Sequence, residues 1–323
     1  MNAEMTKREQ WRTSWKAEEA ASFSGWDFSH LDGRWQEGEI PWDYGEIVRE
    51  FLQDSMELLD MGTGGGEFLL TLGHPYARTT VTEGYPPNAA LCRERLAPLG
   101  IRVAEVDGED PLPFADASFD LVIDRHESFR PEEVYRILKP GGRFITQQVG
   151  GKNDNDLSRR LIPGFQPQYP QYTLAHNRLL LERVGFTVED GREVFSPIRF
   201  FDTGALVYFA KILPWEFPGF TVEDCWEQLC RIEEQRQRDG WIQGTEHRFL
   251  LRAIKKKREG TSGLKGKSVC ECCASYVYDD EYGYYRCDVN LDEDEMEQFL
   301  RGSLDNCPYY QPYDEYKIVQ KQN

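Results

Sequence analysis

No run of about 18 or more apolar residues occurs anywhere in the 323-residue sequence, so no part of it reads as a membrane-spanning helix. The opening stretch, MNAEMTKREQWRTSWKAEEA, lacks an apolar signal core and mixes charges of both signs, which argues against a secretory or transit segment. Cytoplasmic residence is the expectation. Basic charge is also in short supply, with 38 Lys and Arg against 56 Asp and Glu, a net charge of -18. A chain this acidic repels phosphate backbones at long range, which disfavours nucleic acid as a partner. Its only basic run, Lys255 to Arg258, reads as the solvated end of a strand. The acidity is uneven: residues 268–323 hold 13 acids and 4 bases, so half the excess sits in the last sixth of the chain.

Cysteine divides the sequence in the same way. Cys92, Cys225 and Cys230 are scattered singly and read as core thiols, whereas Cys270, Cys272, Cys273, Cys287 and Cys307 crowd the tail. Between the two compositions lies EGTSGLKGKS, residues 259–268, small, polar and glycine-bearing, which reads as a linker. The expected organisation is therefore a large domain over residues 1–258 and a small acidic, Cys-rich one over 269–323.

In the large domain, short apolar runs (56–61, 79–83, 101–106, 119–124 and 142–149) alternate with helical periods. One of these helices, PEEVYRILKPGG, has Pro131 at its start and Gly141 just past its end. Such alternation predicts an α/β fold, a doubly wound, mostly parallel sheet with helices on both faces. The stretch LLDMGTGGGEFLLTLG, 58–73, is then a strand, a glycine turn and a helix, which places a ligand at the carboxyl end of the strand. The dinucleotide pattern G-x-G-x-x-G is missing: counting from Gly62, the third position is Glu67, whose carboxylate would repel a pyrophosphate.

What is present is D-x-G-x-G-x-G, from Asp60 through Gly62, Thr63, Gly64 and Gly66. It resembles motif I of the class I S-adenosylmethionine-dependent methyltransferases. VDGEDPLPFADASFDLVID and YRILKPGGRFI resemble two further motifs of that family, in the family's order. The resemblance implies a seven-stranded Rossmann-like sheet and S-adenosylmethionine as cofactor. Asp60 would face the cofactor's amino acid end, Glu83 with Gly84 its ribose hydroxyls, and Asp107 with Gly108 its adenine. The loop after the fourth strand, DRHESF, would face the methyl acceptor. There His126 is a candidate general base, oriented by Glu127 or Asp124, and Arg125 a contact to cofactor or acceptor. Packing is the other reading of His126. Gln147 and Gln148 would point to the same rim. The N-P-P-Y pattern of methylation on base amino groups is missing from that loop.

One departure from the family is an insertion of about 40 residues between the last two strands, with one helix expected around 206–213 and another over 221–237. All eight tryptophans lie in the arm or the insertion: Trp11, Trp15, Trp26, Trp35 and Trp42, then Trp215, Trp226 and Trp241. They either pack these extensions together or form an aromatic cover over the methyl group. A small-molecule acceptor is favoured. Alternatives are a non-catalytic cofactor sensor whose acidic tail docks a protein partner, and an RNA methyltransferase.

The tail resembles small acidic, cysteine-containing bacterial domains of unknown function. Cys270, Cys273, Cys287 and Cys307 carry a single C-x2-C and lack the second that marks a zinc ribbon. In a module this small, a zinc or iron ion held by these four thiolates is the favoured expectation; redox-labile and plain buried thiols are the alternatives.

Overall fold

The computed structural model describes residues 6–23, 27–106 and 111–257 and, in the tail, residues 276–279, 284–287, 289, 296 and 309. The chain divides into two compact units, Met1–Lys257 and Arg258–Asn323.

The first unit is built on an eight-stranded sheet: β1 (Trp35–Gln36), β2 (Leu58–Met61), β3 (Thr79–Thr82), β4 (Arg102–Ala104), β5 (Phe119–Arg125), β6 (Leu138–Val149), β7 (Thr187–Phe200) and β8 (Ile242–Ile254). The order is β1-β7-β8-β6-β5-β2-β3-β4, with β4 to β6 pairing parallel and β8 antiparallel between β6 and β7. All four residues of β2 and all four of β3 are buried, the mark of parallel strands covered on both faces. The extra strand relative to the expected seven comes from the arm: Trp35 and Gln36 pair with Phe200 and Arg199 and close the open edge of β7.

Helices α2 (Tyr44–Phe51), α3 (Glu67–Thr71) and α4 (Pro86–Arg95) cover one face through Ile47, Val48, Leu69 and Cys92, packed on Leu58, Val81, Ile123 and Ile145. Helices α5 (Pro131–Ile137) and α7 (Leu174–Arg183) cover the other, against Leu59, Met61, Val122 and Phe144. The helix expected to run up to Gly141 ends four residues earlier, because Gly141 donates its N–H to Lys255 O and so belongs to the β6–β8 ladder. Lys255 itself is tied down, its Nζ donating to Tyr135 O and Leu138 O at 2.6 and 2.8 Å, so the basic run begins inside the fold.

A third core joins α1 (Lys7–Glu19) and α6 (Asn155–Leu161) to the insertion, whose helices are α8 (Thr203–Ile212) and α9 (Trp226–Asp239). Helix α9 starts later than the sequence suggests, since Thr221 and Asp224 close a turn by reciprocal hydrogen bonds at 2.7 and 3.0 Å. Trp11 stacks on Trp15, Trp15 meets Trp226, and Trp35 packs on Phe209, so these four tryptophans bind arm to insertion. Trp215 and Trp241 are largely exposed, and Trp26 lies outside the described residues. Trp42 donates its indole N–H to a side chain of the site below, Gln147.

In the second unit, Tyr276–Asp279 and Tyr284–Cys287 form an antiparallel pair. Cys287 is a partly buried free thiol, whereas Cys270, Cys273 and Cys307 lie outside the described residues.

Candidate cofactor cradle and acceptor pocket

Strand β2 has β3 on one side and β5 on the other, which makes its carboxyl end the topological switch point where open α/β sheets bind ligands. The chain leaves β2 at Asp60 and Met61 and turns through Gly62, Gly64 and Gly66, all at positive φ (59°, 63° and 79°). A Cβ at Gly62 would run into the Glu127 side chain, and one at Gly66 would come 2.8 Å from Leu96. At Gly64 nothing lies within 4 Å of that position: the loop opens onto space there. The short α3 begins only at Glu67.

Two carboxylates brace this turn. Glu83, just past β3, accepts Gly64 N–H at 2.8 Å on one oxygen and Tyr85 N–H at 2.9 Å on the other. Burial pushes its pKa up, against the pull of those two donors. Asp60 is buried and accepts the Thr63 hydroxyl at 2.6 Å. Burial raises its pKa to about 7; the Thr63 bond and the Arg125 charge pull it down, and Glu83 adds a smaller push upward. A buried carboxylate in this state is short of positive charge. Asp107 and Gly108, expected on the adenine side, lie outside the described residues.

The loop after β5 supplies the other wall. Arg125 is exposed, with its guanidinium 4.6 Å from the centre of the Phe68 ring. His126 adopts a left-handed backbone, φ 70°, which costs a non-glycine residue on the order of 1 kcal/mol and clusters at functional sites. Its N–H donates to Gln147 O at 2.9 Å. The ring partner is Gln147, whose Nε2 lies 3.2 Å from His126 Nε2. Trp42 Nε1 donates to Gln147 Oε1 at 2.9 Å. An indole N–H can only donate, so the amide must turn its oxygen to Trp42 and its NH2 to His126; His126 Nε2 is then the acceptor and the ring proton sits on Nδ1. His126 is an exposed residue whose ring is nonetheless closely surrounded by protein atoms. That enclosure, then the charges of Arg248 and Arg125, lower its pKa to about 3.

The bond that orients the ring thus comes from Gln147 and, through it, Trp42. Asp124 accepts Glu127 N–H and Gln148 Nε2, each at 3.1 Å, and burial, with the neighbouring Glu127 charge, raises its pKa well above the usual carboxylate range. Tyr44 ties this floor together: its hydroxyl lies 3.0 Å from Asp124 O and 3.1 Å from Asp124 N. Gln147 and Gln148 part company because successive strand residues face opposite sides of the sheet. The sequence singles out neither Trp42 nor Tyr44 as a site residue. A cavity of about 230 Å³ bounded by Phe51, Met56, Lys139, Arg143 and Lys257 lies at the opposite rim, where β5 and β6 begin, away from this chemistry.

The glycine turn braced by an acid on the next strand belongs to a methyltransferase domain, and residues 59–146 match the family described as "Methyltransferase domain". Residues 267–323 match a second family, "Domain of unknown function (DUF6472)". The chain therefore carries a class I S-adenosylmethionine-dependent methyltransferase domain followed by a domain of unknown function, as the motifs implied. The chain is similar to the sterol 4-C-methyltransferase of Caenorhabditis elegans, 29% identical over 120 residues, covering 34% of this chain and 36% of that one. It is also similar to the ubiquinone/menaquinone biosynthesis C-methyltransferase of Desulfotalea psychrophila, 35% identical over 99 residues, covering 28% and 39%. The match thus spans less than two fifths of either relative. Among solved structures, the YcgJ protein of Bacillus subtilis aligns with a TM-score of 0.45 at 20% identity, over 67% of this chain and 98% of that one. Among the described residues no helix is long and apolar enough to cross a membrane, and no three His, Cys, Asp or Glu side chains converge to hold a metal ion.

Proposed function

We propose that the chain transfers a methyl group from S-adenosylmethionine to a small-molecule acceptor. The observation that carries this reading is the open space at Gly64, flanked by a carboxylate that braces the glycine turn and by a second, buried one short of positive charge. These groups fit S-adenosylmethionine: Glu83 retains acceptor capacity for ribose hydroxyls, Asp60 suits an ammonium, and Gly64 leaves room for close approach. When bound, the cofactor supplies a methyl group on a sulfonium, with a neutral thioether as leaving group.

The chain's own work is then positioning, which can contribute roughly 7–11 kcal/mol through alignment alone. Neutral His126, with Nε2 occupied by Gln147, is a weak base. We assign it a positioning role, presenting Nδ1–H to the acceptor, in place of the base role expected from its residue type. Arg125 would line the boundary between cofactor and acceptor. The acidic balance and the small-molecule names of the relatives support a small acceptor. Calorimetric titration of the full chain with S-adenosylmethionine and with S-adenosylhomocysteine tests the reading. One site per chain is expected for each, and no binding of either at millimolar concentration would overturn it.

A further inference from the structure

The polar groups around Arg248 form a second cluster, which the cofactor cradle leaves unused. Arg248 donates to Glu246 Oε1 at 2.6 Å and to Asn153 Oδ1 at 2.5 Å. Asn153 passes the network on, its Nδ2 donating to Asp154 Oδ2 at 2.7 Å and to Glu216 Oε1 at 3.2 Å. From the other side, Gly38 N–H donates to Glu246 Oε2 at 3.0 Å, which brings up Glu37. The rim of β8, the loop after β6, the insertion and the N-terminal arm all converge here.

Strand register puts this cluster on the His126 side of the sheet. Arg248 lies opposite Val149 and Leu250 opposite Gln147, while Glu246 lies opposite Ser196. Opposed residues of an antiparallel pair share a face, as do residues two apart on one strand. Gln147, Arg248, Glu246 and Ser196 therefore project to one side of the sheet, at the same rim, and Gln147 holds the His126 ring.

The cluster has more carboxyl groups than cations to match them. Glu37, Asp154, Glu216 and Glu246 surround one guanidinium, and Glu246 takes its salt bridge. Burial raises Glu216 to about 7, and burial together with the Glu216 charge lifts Asp154 well above the usual carboxylate range. Two buried polar atoms have no hydrogen-bond partner: Asp154 Oδ1, on a residue with no exposure, and Ser196 Oγ, on one that is 5% exposed. Both flank Glu246. Asp154 N–H donates to Thr245 O at 2.9 Å, and a Cβ built on Gly38 would come 2.7 Å from Ser196 Oγ, so that hydroxyl faces the strap bonded to Glu246. The left-handed backbone of Asp154, φ 50°, is strain kept in a place where one of its carboxyl oxygens is left without a partner.

We propose that this cluster is a subsite for a protonated amine carried by the methyl acceptor. Such a group supplies the missing positive charge and offers N–H donors to Asp154 Oδ1, Ser196 Oγ and the Glu216 carboxylate. It would anchor the acceptor with the atom to be methylated turned towards His126. The inference rests on the methyltransferase reading and names the acceptor's chemical class.

The test is calorimetry on the full chain saturated with S-adenosylhomocysteine, titrated with tyramine and with 4-ethylphenol, which has the same ring and phenol without the amine. Tyramine should bind at least about tenfold tighter, the scale of a charge-assisted hydrogen bond. Glu216→Gln, alone and combined with Asp154→Asn, should remove that preference while leaving S-adenosylhomocysteine affinity within about twofold; this unchanged affinity also shows that the variants fold. Equal affinity for the two probes, no binding of tyramine, or an undiminished preference in Glu216→Gln would overturn the subsite. If the wild-type chain fails to bind S-adenosylhomocysteine, it is the methyltransferase reading that falls.

Discussion

Trp42 and Gln147 lie 105 residues apart in sequence and meet through a 2.9 Å hydrogen bond from the indole N–H to the amide oxygen, and this bond sets the protonation of a third residue, His126. Replacing Trp42 by Phe frees the Gln147 amide to rotate and should release the His126 tautomer. The expected result is lower turnover with cofactor affinity kept, and a change in the His126 ring nitrogen shifts by NMR. Unchanged shifts would show that Gln147 is held by something else.

At His126 itself, the left-handed backbone predicts opposite effects on stability and activity. His126→Gly should stabilise the fold by about 1 kcal/mol by relieving strain, measured by denaturant unfolding, and His126→Ala should not. Both should lose turnover while keeping cofactor affinity. Turnover retained in both variants would leave His126 with a packing role only.

Asp60 gives the cradle a pH dependence whose sign can be worked out. Its folded pKa, about 7, lies above its ordinary 3.8, so the native chain holds a proton that the unfolded chain has released. Asp60 thus costs stability progressively as pH rises from about 4 to about 7, on the order of 4 kcal/mol at most. Asp60→Asn should be more stable than wild type at pH 8 and nearly equal to it at pH 4. A cationic ligand favours the ionised form, so S-adenosylmethionine should bind more tightly as pH rises towards 8 and should release protons near pH 6. Calorimetry in buffers of different ionisation enthalpy reads that release, which Asp60→Asn should abolish.

Gly64 and Glu83 test the cradle directly. Gly64→Val puts a branched side chain at φ 63° into the open space, so it should abolish measurable cofactor binding. Glu83→Ala removes an acceptor of two backbone N–H bonds and the acceptor proposed for the ribose hydroxyls, and should weaken binding by roughly 1.5–3 kcal/mol. Wild-type affinity in both variants would remove the site.

Much of this was legible in the sequence because it is local. Asp60, the glycines and Glu83 sit at strand ends that periodicity alone locates, and the family's motifs occur in order over a short span. The partners of His126 were not legible. Trp42 reaches Gln147 only through the pairing of distant elements, and nothing distinguishes it in sequence from Trp11, Trp15 or Trp35, which pack the arm on the insertion. The cluster around Arg248 was hidden for the same reason, since its members come from five separate stretches. The eighth strand was missed because two residues at a sheet edge leave no periodic signal.

The tail carries its own prediction. We propose that Cys270, Cys273, Cys287 and Cys307 bind one zinc or iron ion, with Cys272 a spectator, since adjacent cysteines cannot easily both face one ion. Elemental analysis should find close to one ion per chain. Cys307→Ser should lower that content and Cys272→Ser should not, and affinity should fall at acid pH as protons compete for the thiolates. A folded, metal-free tail under reducing conditions would contradict this.

Methyl transfer to a small molecule can be read by following the methyl label itself. The full chain is incubated with S-adenosylmethionine labelled in its methyl group and with a cell extract separated into metabolite and RNA fractions. Label should appear in a low-mass product together with an equal amount of S-adenosylhomocysteine, and Gly64→Val should yield neither. Label confined to RNA, or cofactor bound without any S-adenosylhomocysteine formed from any fraction, would contradict the account.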